Sequence, residues 1–106
     1  MSALLVGQVR VRDADKWAVY VAGVAASLAP HPDAEVLFRG AHAATLAGVA
    51  PPQATAEQDV VVVIRFPTAA TLEAWWNSEA YQKLVPLRDQ AADATIAYYT
   101  APSPKL

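Results

Sequence analysis

Apolar and polar positions alternate from Leu4 to Val11 (LLVGQVRV). Leu5, Val9 and Val11 fall on one face of a strand, with Leu4, Val6, Gln8 and Arg10 on the other. Gly7 interrupts the side-chain row and marks a bulge or a close approach. The period then lengthens. Trp17, Tyr20, Val21, Val24 and Leu28 recur at spacings of three and four, which predicts an amphipathic helix. Asp13 is its N-cap, and Asp15 lies near the positive end of the helix dipole. Pro30 and Pro32 end it. Ala34 to Arg39 (AEVLFR) reads as a second strand, broken by Gly40. Ala43 to Leu46 reads as a short strand or an arm, and GVAPPQATAEQ (48–58) as a proline-marked loop.

DVVVVIRF (59–66) has no alternation, so both faces of that strand are expected to be covered. Pro67 stops it, and Thr68 caps a helix running to about Asn77. Ser78 caps a further helix that carries Tyr81, Leu84 and Val85 inward, and Pro86 forces a break or restart. Thr95 to Ala101 (TIAYYTA) is the last strand. Residues 1–101 read as one domain and 102–106 as a frayed tail. The order is β, α, β, β, α, β. This predicts an α+β, ferredoxin-like split βαβ arrangement, a four-stranded antiparallel sheet with its helices on one face. If Val60, Val62, Ile64 and Phe66 face the helices, Val61 and Val63 lie on the open face. The same face of a second copy covers it most simply, giving an isologous homodimer.

Composition strengthens that expectation. Apolar residues make up 55% and charged residues 17%, against the usual ~45–50% and ~25%. The net charge of −2 and the scattered arginines leave no basic stripe, which argues against nucleic acid. The absence of cysteine removes disulfides, thiolate nucleophiles and thiolate metal sites. His31 and His42 are the only histidines and stand at no metal-ligand spacing. Neither a metal nor a cofactor is expected. The stretch MSALLVGQVRVRD has no basic region before its apolar residues and soon turns polar. It reads as neither signal peptide nor membrane span, and a cytoplasmic protein is expected.

Candidate chemistry concentrates in AWWNSEAYQKL (74–84). Trp75 and Trp76 diverge by about 100° on a helix. Trp75 continues the stripe of Ala69 and Leu72 and is expected in the core, with Trp76 at the helix edge or a pocket mouth. Ser78 reads as a cap rather than a nucleophile, since no histidine stands near it. Tyr81 is either a core residue with a satisfied hydroxyl or a hydrogen-bond donor to a ligand. His42, three residues after Arg39, is a weak acid–base candidate beside Tyr81. Arg39 ends the second strand and Arg65 breaks an apolar run. Each must meet a carboxylate or an anion, in a salt bridge across a dimer to Glu35 or Asp59, or in a bound ligand.

Three stretches, FRGAHAATLAG (38–48), VVVIRFPTAATLEAWWNSEAYQ (61–82) and LRDQAA (87–92), together resemble the domain of unknown function 1330 family. The resemblance covers nearly the whole chain. Trp75, Ser78, Tyr81, Arg88, Arg39 and Gly40 stand where the family has like residues, and Trp17 with Tyr20 matches its aromatic pair on the first helix. Arg65 stands where the family has an acidic residue, Ala41 where it has glycine, Ala47 where it has glutamate, and Pro32–Asp33 where it often has two glycines. The resemblance implies a dimeric α/β barrel, a shape shared with antibiotic monooxygenases, muconolactone isomerases and some heme-handling proteins. Two readings follow. One is a homodimer binding a small organic, anionic or aromatic ligand between sheet and helices, with Arg39, Arg65, Trp76, Tyr81 and Arg88 as candidate contacts. The other is a cofactor-independent monooxygenase, cyclase or isomerase acting on a small aromatic or polyketide-like acid. The enzyme reading needs His42, Tyr81 or an arginine converging on a cavity of ~300 Å³ or more.

Overall fold

The computed structural model describes residues 2–48 and 58–101. The expected tail and most of the proline-marked loop lie outside these residues. The elements are β1 (Ala3–Val11), α1 (Ala14–Leu28), β2 (Glu35–Ala41), β3 (Asp59–Phe66), α2 (Ala69–Trp76), α3 (Glu79–Gln82), α4 (Val85–Ala91) and β4 (Ala92–Thr100). The four strands form one antiparallel sheet in the order β2-β3-β1-β4, the ferredoxin-like topology. The helices lie on one face, and the molecule measures 36 × 36 × 16 Å.

Local chemistry accounts for the element boundaries. The Asp13 side chain accepts from the Lys16 amide at 3.0 Å and starts α1. Thr68 and Thr71 form a reciprocal capping box at the start of α2. Ser78 accepts from the Tyr81 amide at 3.2 Å and starts α3. Pro86, in the first turn of α4, costs no backbone bond there. The helix-facing rows of β1 and β3 pair directly: Leu5 lies opposite Ile64 and Ala3 opposite Phe66. With Tyr20, Leu72, Trp75 and Tyr81 they form the main core. A second cluster of Val9, Val11, Ala91 and Ala92 closes the other end.

Two boundaries differ from expectation, and of the two readings of residues 43–46 the strand is not seen. Gly40 does not break β2, which continues to Ala41. A Cβ at Gly40 would stand 2.3 Å from the Phe38 Cζ, so the glycine lets the Phe38 ring lie flat on its own strand. β4 begins at Ala92 rather than Thr95. Ala92 and Asp93 are weak strand formers, but pairing with Val11 and Arg10 holds them. The Arg12 amide also donates to the Ala91 carbonyl at 2.7 Å, and its guanidinium donates to the Ala92 carbonyl at 3.3 Å. No helix among the described residues is long and apolar enough to cross a membrane.

Candidate functional site

A cavity of about 120 Å³ lies between the helices and the sheet. Its floor comes from Leu5, Val62, Ile64 and Ile96 around Gly7. A Cβ at Gly7 would meet Val62 at 3.0 Å, so this glycine is the close approach that its place in the strand predicted. Trp17, Tyr20 and Val24 of α1 and the rings of Trp75, Trp76 and Tyr81 form the walls, and Arg39 also lines it.

The aromatic wall is held by a polar network. Tyr81 sits at the third position of α3, fixed there by the Ser78 cap, and is fully buried. Its ring centre lies 4.5 Å from that of Trp75 and 4.7 Å from that of Trp76. The Tyr20 and Tyr81 hydroxyls are 2.9 Å apart. Arg88 Nη1 donates to the Tyr81 hydroxyl at 3.0 Å, and its guanidinium carbon lies 5.7 Å from the Trp76 ring centre. Arg88 Nε also bonds Asp89 at 3.3 Å. Burial, reinforced by the bond to Tyr81, pushes the Tyr20 phenol well above the usual tyrosine range. Trp75 Nε1 donates to Ser27 Oγ at 2.9 Å, and Ser27 donates in turn to the Val24 carbonyl at 2.7 Å.

Of the sequence candidates, Trp76, Tyr81 and Arg88 come together, and Arg39 lines the same cavity. Arg39 was expected at the edge of the open sheet face. A bulge between Val36 and Phe38 shifts the register by one residue, so Arg39 pairs with Val62 on the helix side. Arg65 is on the opposite face, where its Nη2 meets Glu35 Oε2 at 2.9 Å within the same chain. The arginine pair is thus divided by the sheet. His42 bonds Thr45 Oγ1 at 2.9 Å and lines a separate hollow with Arg10, Asp59 and Asp93. It does not converge with Tyr81; the aromatic cavity falls below the ~300 Å³ expected of a site for a drug-sized molecule, whereas the hollow that His42 shares with Arg10 measures about 470 Å³. No group of three or more His, Asp or Glu side chains suited to a metal occurs among the described residues. Sequence reasoning placed Tyr20 on the buried stripe without assigning it to the site, and it passed over Ser27. The signal for Ser27 was a buried tryptophan N–H that needs an acceptor.

The fold and its aromatic cavity define a small ferredoxin-like α+β protein. The family described as a domain of unknown function (DUF1330) matches residues 2–100, and the chain belongs to that family. Its activity is uncharacterised. No curated protein matches the sequence. Among solved structures, a protein of unknown function from Rhodopseudomonas palustris superposes with a TM-score of 0.76 at 18% identity, covering 97% of this chain and 84% of that one. A dimeric ferredoxin-like protein of unknown function from Thermobifida fusca is similar at TM-score 0.64 and 14% identity, over 95% and 92% of the two chains. SnoaB, a cofactor-independent oxygenase from Streptomyces nogalater, is similar at TM-score 0.67 and 10% identity, over 98% and 96%. At these identities the likeness is one of fold.

Proposed function

We propose that the chain forms a cytoplasmic homodimer through its open sheet face and binds a small organic ligand in the aromatic cavity. The observation that carries the ligand reading is the cavity itself: a nearly apolar space whose walls include a tyrosine pair held by Arg88. Apolar pockets with a few convergent polar groups are the usual form of small-molecule sites. Trp76, Tyr81 and Arg39 are the proposed contacts, with Arg88 holding the Tyr81 hydroxyl from behind the wall. Arg65 is assigned to the rim of the dimer face with Glu35.

The dimer reading rests on the sheet face that no helix among the described residues covers. Val6 and Val63 are paired at its centre, Phe38 lies beside Val63, and Phe38 and Tyr99 are 55% and 61% exposed. Charges of both signs rim the face, with Arg65 and Glu35 at one end and Arg10 and Asp59 at the other. A two-fold axis would bring such a rim onto its own complement. The dimeric neighbour from Thermobifida fusca supports this. Light scattering should give about twice the 11.3 kDa of one chain, and a monomer at micromolar concentration would refute the dimer. Native mass spectrometry of the gently purified protein should retain a non-covalent small-molecule mass. Tryptophan emission that responds to no aromatic probe would remove the ligand reading.

The second reading, a cofactor-independent monooxygenase, cyclase or isomerase for a small aromatic or polyketide-like acid, is favoured only by the likeness to SnoaB. Oxygen uptake with such acids tests the monooxygenase arm, and conversion of the same acids to isomeric or cyclised products, followed by NMR, tests the other two.

A further inference from the structure

Two phenols and one guanidinium meet at the cavity wall, and their protons do not balance. Arg88 has only donors to offer, and one of them goes to the Tyr81 hydroxyl at 3.0 Å. Tyr20 and Tyr81 bring two O–H protons to a single contact of 2.9 Å, which uses one. One phenolic proton is left over whichever way the pair is oriented. Burial decides where it goes. Both rings line the cavity, but Tyr81 is 0% exposed whereas Tyr20 keeps 6%. A Tyr81 proton aimed away from Tyr20 would be enclosed without an acceptor, and an unmade bond costs its full desolvation penalty. The order that avoids this is Arg88 to Tyr81 to Tyr20, with the Tyr20 proton facing the cavity.

We infer that the cavity selects a single-ring aromatic ligand carrying a neutral hydrogen-bond acceptor, a ketone or quinone oxygen, which takes the proton of Tyr20. The inference rests on the ligand-binding reading above. Size limits the ring count: a dry cavity of ~150 Å³ admits benzene, so this one, about 120 Å³ and partly open, holds at most one ring and leaves part of a substituted ring in its opening. Polarity limits the substituent. Arg88 is already engaged by Tyr81 and Asp89, so the group offered at the tyrosine end is a neutral donor, which suits an uncharged oxygen, while the Arg39 guanidinium lines the cavity from β2. Burial also keeps the Tyr20 phenol protonated in neutral and mildly alkaline solution, so the donor persists.

The test uses acetophenone and α-methylstyrene, which share a shape but exchange the carbonyl oxygen for a CH₂ group. Binding is followed by tryptophan fluorescence. Both should bind the wild type. Tyr20→Phe should weaken acetophenone about three- to tenfold and change α-methylstyrene less than about twofold, as expected for one hydrogen bond. In the wild type, the carbonyl stretch of bound acetophenone should lie at lower wavenumber than in hexane. That reading needs no variant and decides the matter if Tyr20→Phe fails to fold. Two bound probes that respond equally to Tyr20→Phe, with the stretch at its hexane value, would overturn this inference and leave ligand binding intact. Failure of both probes to bind would overturn both. 1-Acetylnaphthalene should bind more weakly than acetophenone, and tighter binding would overturn the single-ring limit.

Discussion

Trp75 is 2% exposed and packs between Phe66 and Tyr81, with ring centres 5.4 and 4.5 Å away. Its indole N–H is satisfied by Ser27. Trp76, one residue on, is only partly buried and presents a face to Arg88. The 100° turn between helical neighbours made this division legible in the sequence. Trp75→Ala should therefore cost about 3–5 kcal/mol, and Trp76→Ala about 1–2 kcal/mol, measured by urea denaturation. Equal and severe losses would mean that both rings are core. The Tyr20–Tyr81–Arg88 chain was not legible in the same way. Periodicity says that Tyr20 points inward, but it cannot say which residue, 61 positions on, meets its hydroxyl. The sequence left Arg39 open between the dimer face and a ligand contact. Counting by twos assumes an unbroken ladder, and the bulge at Leu37 adds a residue that no local signal announces.

Among the elements, α3 shows how a short helix depends on its cap. It has four residues, too few to be stable alone. Ser78 accepts from the Tyr81 amide and also donates to the Trp75 carbonyl at 2.6 Å, so one hydroxyl closes α2 and opens α3. Ser78→Ala should cost about 1 kcal/mol. Ser78→Thr, which keeps donor and acceptor, should cost less. Ser78→Asp keeps the cap but sets a carboxylate against a carbonyl, and it should fall below Ser78→Thr in midpoint of denaturation. An aspartate variant as stable as the wild type would show that the bond to Trp75 contributes little. The existence and order of the long elements were readable: β3 from its unbroken apolar run, α1 from its stripe. The start of β4 was not, because Ala92 and Asp93 are held by partners distant in sequence rather than by their own propensity.

At the scale of the whole molecule, a sheet only half covered by helices governs behaviour in solution. Val63 sits between Val6 and Phe38 on the open face. Val63→Asp places a charge where the proposed partner copy would lie, and it should convert the dimer to monomer or unfold it. Retention of the dimer mass in light scattering would move the interface elsewhere. The strand order has a further consequence, for the time the chain takes to fold. The strand β1 lies between β3 and β4, with Ala3 opposite both Phe66 and Thr100. During synthesis it must wait until Phe66 for its first neighbour and until Thr100 for its second. Pairings between such distant segments demand that large loops close first, which slows the search. Refolding followed by tryptophan fluorescence should accordingly fall in milliseconds to seconds rather than microseconds, with removal of β4 leaving β1 without one of its two neighbours and the chain unable to complete the transition.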